Sequence, residues 1–331
     1  MPETDTRVHD GSPHLDRSPH LDRSPRHDGS PRHDGSPRHD GSLDPVDADG
    51  IDGLLAVLDL VPGPDGEDVF LGRTQPQPWG RIFGGQLLAQ ALVAAARTVP
   101  GDRPVHAMHA CFLRPGNDRE PVSYGVERLR DGRSFSAREV RARQAGRTVL
   151  SALASFQVPG PGPEHQPDMP DVPGPESLPT LAERFAGLSH PGADYWTRHR
   201  PVDLRHVEGP VFLDAGAERT PRQAVWMRAV GRLPDDPGTH AAALALASDY
   251  TVLEPVLRRH GVPWVRPGLR VASLDHALWW HGTARADEWL LFVQESPAAG
   301  NARGLGTGRF FTRDGALVCT VAQEGMFRVP R

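Results

Sequence analysis

The chain has 331 residues and a formal net charge of −5, and all 37 of its basic residues are arginines. This balance argues against a nucleic-acid-binding surface, and no apolar run is long enough to span a bilayer. Hydrophobic residues make up 38% of the chain, enough for the core of one large domain or two ordinary ones. Cys111 and Cys319 each lie in an apolar run, are too few for a disulfide framework and read as buried small hydrophobes. The opening "MPETDTRVHDG" has no apolar targeting core, so a cytoplasmic protein is expected.

In chain order, residues 1–46 come first and carry the six-residue repeat "SPRHDG". With almost no large apolar side chains, this stretch cannot offset its ordering entropy and is expected to be a disordered tail. The first ordered unit is expected over residues 47–158. "DGIDGLLAVLDLV" reads as a short amphipathic helix and "DVFLGRT" as a strand. "RIFGGQLLAQALVAAARTVP" reads as a helix: Leu87, Leu88, Ala91, Leu92 and Ala95 follow the helical period, and Pro100 closes it. Four strands follow, "VHAMHACFLR", "VSYGVERLR", "SFSAREVRARQ" and "TVLSALASFQV", separated by the turn signals "RPGN", "RDGRS" and "QAGR".

Residues 159–199 are rich in Pro and Gly and read as a linker. A second unit is expected over residues 200–331. "RHVEGPVFL" and "RQAVWMRAV" read as strands, and the segment around Asp249 as a helix that this residue begins. "LRVASLDHALWWH", "EWLLFVQES", "GLGTGRFF" and "ALVCTVAQEGMF" then read as strands.

The two units match in detail. Residues 105–116 overlay residues 271–282 without a gap, and 142–158 overlay 311–327. Glu127 falls on Glu295 and Gly132 on Gly300. The sequence therefore reads as a duplicated α+β fold, each unit built of strands, a helix and an antiparallel sheet.

The copies differ at three positions. Asp249 stands where the first copy has Gly85 or a near neighbour, Ser273 where it has Ala107, and Gln323 where it has Ala154. Strand alternation puts Gln323 on one face with Leu317, Cys319, Val321 and Phe327, all apolar. Asp249 in the run "ALALASDYTVLEPVL" has two readings. One is a cap for a helix start. The other is a member of a polar trio that holds a water, with Asp249 as general base and Ser273 and Gln323 fixing the attack line. A polar cluster that only locks helix to sheet is the alternative for the trio.

Seven stretches, "RIFGGQLLAQAL", "HACFLRPG", "RLRDGRSFSAREV", "ASFQ", "ASDYTVL", "SLDHALWWH" and "AQEG", together resemble acyl-CoA thioesterase II over roughly residues 50–331. These are double-hotdog hydrolases that cleave fatty acyl-CoA to fatty acid and CoA. The resemblance implies two tandem hotdogs, each a curved antiparallel sheet around a central helix. It also implies an Asp, a Thr or Ser, and a Gln around a nucleophilic water. Those positions fall on Asp249, Ser273 and Gln323, with no cofactor or metal, and relatives of this kind commonly form homo-oligomers. Surface arginines suit the CoA phosphates, and Arg130, Arg133 and Arg138 are the candidates, against ordinary solvated strand positions.

Other readings fit less well. "SLDH" places Ser273, Asp275 and His276 together, but no G-x-S-x-G elbow is present. Neighbours on a strand also face opposite ways, so Asp275 and His276 cannot both face Ser273. His106 and His109 have no accompanying metal motif. A non-catalytic acyl-CoA-binding module or a dehydratase-like hotdog is the rival class, although no histidine precedes Asp249 closely.

Overall fold

The computed structural model describes residues 43–330. The repetitive segment read as a disordered tail lies almost wholly outside the described residues. Leading into the first sheet are helix α1 (Gly50–Leu58), strands β1 (Val61–Pro62) and β2 (Val69–Gly72), and helix α2 (Gly84–Ala96). Strands β3 (Val105–Phe112), β4 (Val122–Asp131), β5 (Phe135–Gln144) and β6 (Arg147–Gln157) complete it. The five residues that set the helical period in α2 are all buried, and its many alanines let neighbouring elements approach closely. The turn from β5 to β6 is two residues long. Ala145 and Gly146 both have positive φ (47° and 73°), the turn geometry whose twist matches the strands it joins.

The Pro/Gly-rich stretch ends in two short helices, α3 (Leu181–Arg184) and α4 (Pro191–Asp194), and a π-helical turn, Tyr195–His199. The second half then follows: β7 (Val202–His206), β8 (Arg222–Ala229), α5 (Pro237–Ser248), α6 (Glu254–His260), β9 (Arg270–Ser273), β10 (Asp275–Trp280), β11 (Leu290–Gly300), β12 (Arg303–Thr312) and β13 (Leu317–Arg328). Strand β7 precedes most of the run "RHVEGPVFL" that the sequence pointed to. Glu208, Gly209 and Pro210 break the extended pattern there, and the chain turns. The long run beginning at Arg270 is two strands, interrupted at Leu274.

All thirteen strands belong to one antiparallel sheet, ordered β1-β2-β4-β5-β6-β3-β10-β13-β12-β11-β8-β7, with β9 also paired to β13. The second half repeats the first in reverse, and the halves join where β3 pairs with β10. In the overlay of residues 105–116 on 271–282, Ala110 and His276 are equivalents. They are also direct partners across β3 and β10, so the halves meet about a local two-fold through this pair. Helix α2 packs on β3–β6 and against α5, while α6 packs on β8, β11 and β12. The main core lies between these helices and the sheet. Cys319 is buried as expected, but Cys111 is exposed: it sits on the outward side of β3, where alternation turns it away from the helices.

Candidate active site

Helix α5 starts on Asp236, whose carboxylate accepts the Thr239 backbone N–H at 2.7 Å, with Pro237 in the first turn. Ala242 to Ser248 are buried without interruption, and nothing in "AAALALAS" breaks the helix. Asp249 is its C-cap residue (φ −84°, ψ −8°). The expected helix start at this residue is therefore corrected to a helix end. The next helix, α6, begins five residues later, with Pro255 in its first turn, where a missing N–H costs nothing. Asp249 occupies the bend between the two.

This bend carries the carboxylate across to the other half. Asp249 accepts the backbone N–H of Gly85 in the first turn of α2. A Cβ placed on Gly84 would stand 2.6 Å from Asp249 Oδ2. Phe83, which precedes that turn, stacks on Tyr250 with ring centroids 4.5 Å apart. The positive end of α2 therefore faces the carboxylate.

Ser273 and Gln323 meet it from the sheet. Ser273 Oγ donates to Asp249 Oδ1 at 3.5 Å, and Gln323 Nε2 donates to Ser273 Oγ at 2.9 Å. Gln323 also hydrogen-bonds the carboxylate. Gln323 is 1% exposed, on the apolar face of β13 that alternation predicted, whereas Asp249 and Ser273 are only partly buried. Burial pushes the Asp249 carboxyl up to about 7; hydrogen bonds from Gln323, Gly85 and Ser273 pull against that rise. A carboxyl that titrates near neutrality is suited to accept a proton there.

Two residues that the sequence reading left out of the water site hold Gln323 from behind. Its Oε1 contacts His276 Nδ1, and His276 Nε2 lies 2.9 Å from Ser248 Oγ. Both His276 and Ser248 are fully buried. Burial depresses His276 to about 4, so the imidazole is neutral and carries one N–H. The Gln323 carbonyl oxygen needs a donor, which assigns that hydrogen to Nδ1 and leaves Nε2 facing the Ser248 hydroxyl, which also lies 2.8 Å from the Ala245 carbonyl oxygen. The resulting order fixes the amide so that its NH2 faces Ser273 and Asp249. The signal was present in "SLDH": a histidine on the inward side of an apolar strand needs partners. Asp275, on the opposite side, is exposed and accepts the Glu324 backbone N–H. The three residues of "SLDH" thus form no triad.

The three arginines proposed for phosphates sit elsewhere. Arg138 is 0% exposed. Its guanidinium donates to Thr98 Oγ1 and O, to the carbonyls of Arg130 and Ala137, and to Asp131. With its donors spent and its surface covered, Arg138 cannot bind a phosphate, and that expectation is corrected. Arg130 and Arg133 are exposed at the β4–β5 hairpin. Arg138 ties that hairpin to Thr98, past the C-terminal end of α2, whereas Asp249 touches its N-terminal end. A helix of 13 residues is about 20 Å long, so within one chain the hairpin is remote from Asp249. His106 bonds Ser155 Oγ at 2.8 Å and His109 is exposed. Among the described residues no group of three or more His, Cys, Asp or Glu is placed to hold a metal.

Comparison with known proteins agrees with this architecture. Residues 201–326 match the acyl-CoA thioesterase family, and residues 75–157 match the acyl-CoA thioesterase N-terminal domain. The chain is 40% identical to human acyl-coenzyme A thioesterase 8 over 279 residues, covering 80% of this chain and 85% of the relative. It is 36% identical to acyl-CoA thioesterase 2 of Haemophilus influenzae over 266 residues, covering 78% and 92%. Among solved structures, it is similar to acyl-CoA thioesterase II TesB2 from Mycobacterium marinum (38% identity, TM-score 0.68, covering 84% and 98%). It also shares its fold with a hot dog fold protein of Alicyclobacillus acidocaldarius (22% identity, TM-score 0.67, covering 84% and 98%).

Proposed function

The chain belongs to the acyl-CoA thioesterase family and is a double-hotdog thioester hydrolase, and we propose that its reaction runs on a water held by Asp249, Ser273 and Gln323. The substrate class we assign within acyl-CoA is fatty acyl-CoA, cleaved to fatty acid and CoA. The reading rests on one observation above all: a carboxylate bonded by a hydroxyl and a buried amide, at the start of a helix that carries no side chains there.

In this mechanism ionised Asp249 takes a proton from the water as its oxygen attacks the thioester carbonyl carbon. Ser273 and the Gln323 amide hold the water's remaining positions. Negative charge develops on the carbonyl oxygen beside the first turn of α2, whose dipole favours it. The tetrahedral intermediate then collapses: the C–S bond breaks, and the thiolate takes the proton back from Asp249. Ser248 and His276 act through Gln323, keeping its NH2 turned toward the water.

Thiol release from palmitoyl-CoA by the wild type and by Asp249→Asn tests this. We expect steady release by the wild type and a loss of at least 100-fold in kcat for the variant, the order that a general base contributes. Unchanged turnover in Asp249→Asn would refute the assignment. A homo-oligomeric state and a cytoplasmic location are proposals of the same standing, tested by light scattering and by cell fractionation.

A further inference from the structure

Arg200 closes the π-helical turn that leads into β7, and it is only 7% exposed. Its guanidinium lies 4.1 Å above the Tyr250 ring and 5.1 Å from the Trp196 ring. Among the described residues no carboxylate pairs with it, and its Nε has no hydrogen-bond partner. Burying a cation without a counter-ion in contact costs several kcal/mol, and each desolvated contact with an aromatic face returns about 2 kcal/mol, which offsets that cost only in part. The other two buried arginines, Arg138 and Arg258, both spend their donors inside the protein. Of the three, Arg200 alone makes no side-chain hydrogen bond among the described residues.

Its position gives the idle donors a use. Tyr250 follows Asp249 directly, and its ring is stacked on Phe83 at the entrance to α2. Arg200 is therefore one aromatic ring from the proposed water site. On the other flank Trp79 is 51% exposed and meets Tyr195, the first residue of the same turn, edge-on. That indole offers an exposed aromatic surface next to Tyr195.

We propose that Arg200 is an anion-recognition residue that receives a charged oxygen group of the substrate: a phosphate of CoA, or a carboxylate at the far end of the acyl chain. This rests on the thioesterase reading. A flat fork of N–H donors, already stripped of water and held between two rings, is preorganised for such a group. The substrate supplies in contact the counter-charge that Glu254 provides only from a distance.

Steady-state hydrolysis by the wild type, Arg200→Met and Arg200→Lys tests the proposal with three substrates. These are a saturated acyl-CoA, its N-acetylcysteamine thioester, which has no phosphates, and an acyl-CoA ending in a carboxylate. Arg200→Met keeps the apolar packing and is expected to raise KM at least tenfold, with kcat little changed and Arg200→Lys recovering most of the loss. If the anion is a CoA phosphate, both CoA substrates respond and the truncated thioester does not. If it is the acyl carboxylate, only the third substrate responds. An equal response of all three, or of none, would overturn the proposal. If Arg200→Met does not fold, Arg200→Gln takes its place in the same comparison. A wild type that releases no thiol would refute the thioesterase reading itself. A wild type that hydrolyses acyl-CoA but is indifferent to Arg200 would sink only the anion site.

Discussion

Asp249 Oδ2 and Gly84 face each other so closely that a Cβ on the glycine would stand 2.6 Å from the carboxylate oxygen. The duplicated sequence overlays Asp249 on Gly85, the next residue, whose N–H the carboxylate accepts. The two equivalent bends therefore meet across the local two-fold, and the space holds one carboxylate, not two. A second acid there would set like charges side by side in a partly buried place. A residue without a carboxylate in the first copy is thus a condition for the acid in the second.

Gly84→Ala is expected to push the carboxylate off its seat. Hydrolysis should fall at least tenfold with the melting temperature nearly unchanged, since the displaced group is the end of a side chain. Gly85→Ala should behave differently. Its Cβ would overlap the Leu246 carbonyl oxygen, and backbone on both sides cannot yield cheaply. We expect a loss of about 2 kcal/mol of stability from that overpacking. Thermal melts alongside thiol release separate the two.

The pH profile follows from which groups titrate. Asp249 must be ionised to act as base, and its carboxyl is pushed up to about 7. kcat/KM should rise through a single limb near pH 7 and then level off. His276 is depressed to about 4 and stays neutral throughout, so it adds no second limb. Stability runs the other way. The folded value lies above the unfolded value of 3.8, so the carboxyl's contribution is complete below pH 3.8 and lost as pH rises through about 7. Asp249→Asn cannot ionise and should therefore be the more stable protein at pH 8. Three units would carry about 4 kcal/mol; partial exposure reduces the expected gain to about 2 kcal/mol. A variant no more stable than the wild type at pH 8 contradicts the raised value.

Much of this was legible in the sequence, for physical reasons. Strand alternation exposes a lone amide such as Gln323 on an apolar face. Overlaying two copies cancels what the fold requires of both and leaves what only one retains. The helix boundary at Asp249 was not legible, because Ala, Leu and Ser carry no stop signal and the bend is imposed by the meeting of two helices. Arg138 was misjudged because exposed and buried positions alternate in β5, and nothing local told that a hairpin closes over this one. Arg200 was invisible, since a lone arginine in a Pro-rich stretch reads as solvated.

Arg138→Met is expected to destabilise the protein without touching the chemistry. The guanidinium joins the β4–β5 hairpin to the end of α2 through Thr98 and Asp131. Removing one partner of a buried charged network costs about 3 kcal/mol. KM for acyl-CoA should not change. A KM effect without a stability effect would restore Arg138 to the substrate site.

Ser273→Ala should lower kcat about tenfold, because Gln323 Nε2 and Asp249 both lose the hydroxyl that joins them. Ser273→Thr keeps the hydroxyl and restricts its rotamer, so activity should be retained. Equal losses in both variants would mean that space, not hydrogen bonding, matters at this position.

The role of His276 is separable from a merely structural one. His276→Phe fills the same buried space but has no N–H for the Gln323 carbonyl oxygen. The amide is then free to turn, and its oxygen can face the water site in place of its NH2. We expect kcat to fall by 10- to 100-fold with KM little changed. If His276 works only through that amide, its substitution should cost nothing further once the amide is gone. The double variant His276→Phe/Gln323→Ala should therefore match Gln323→Ala alone in kcat. Multiplying losses in kcat would show that His276 contributes by another route. Matching kcat values would place it behind Gln323, fixing the direction from which the water is held.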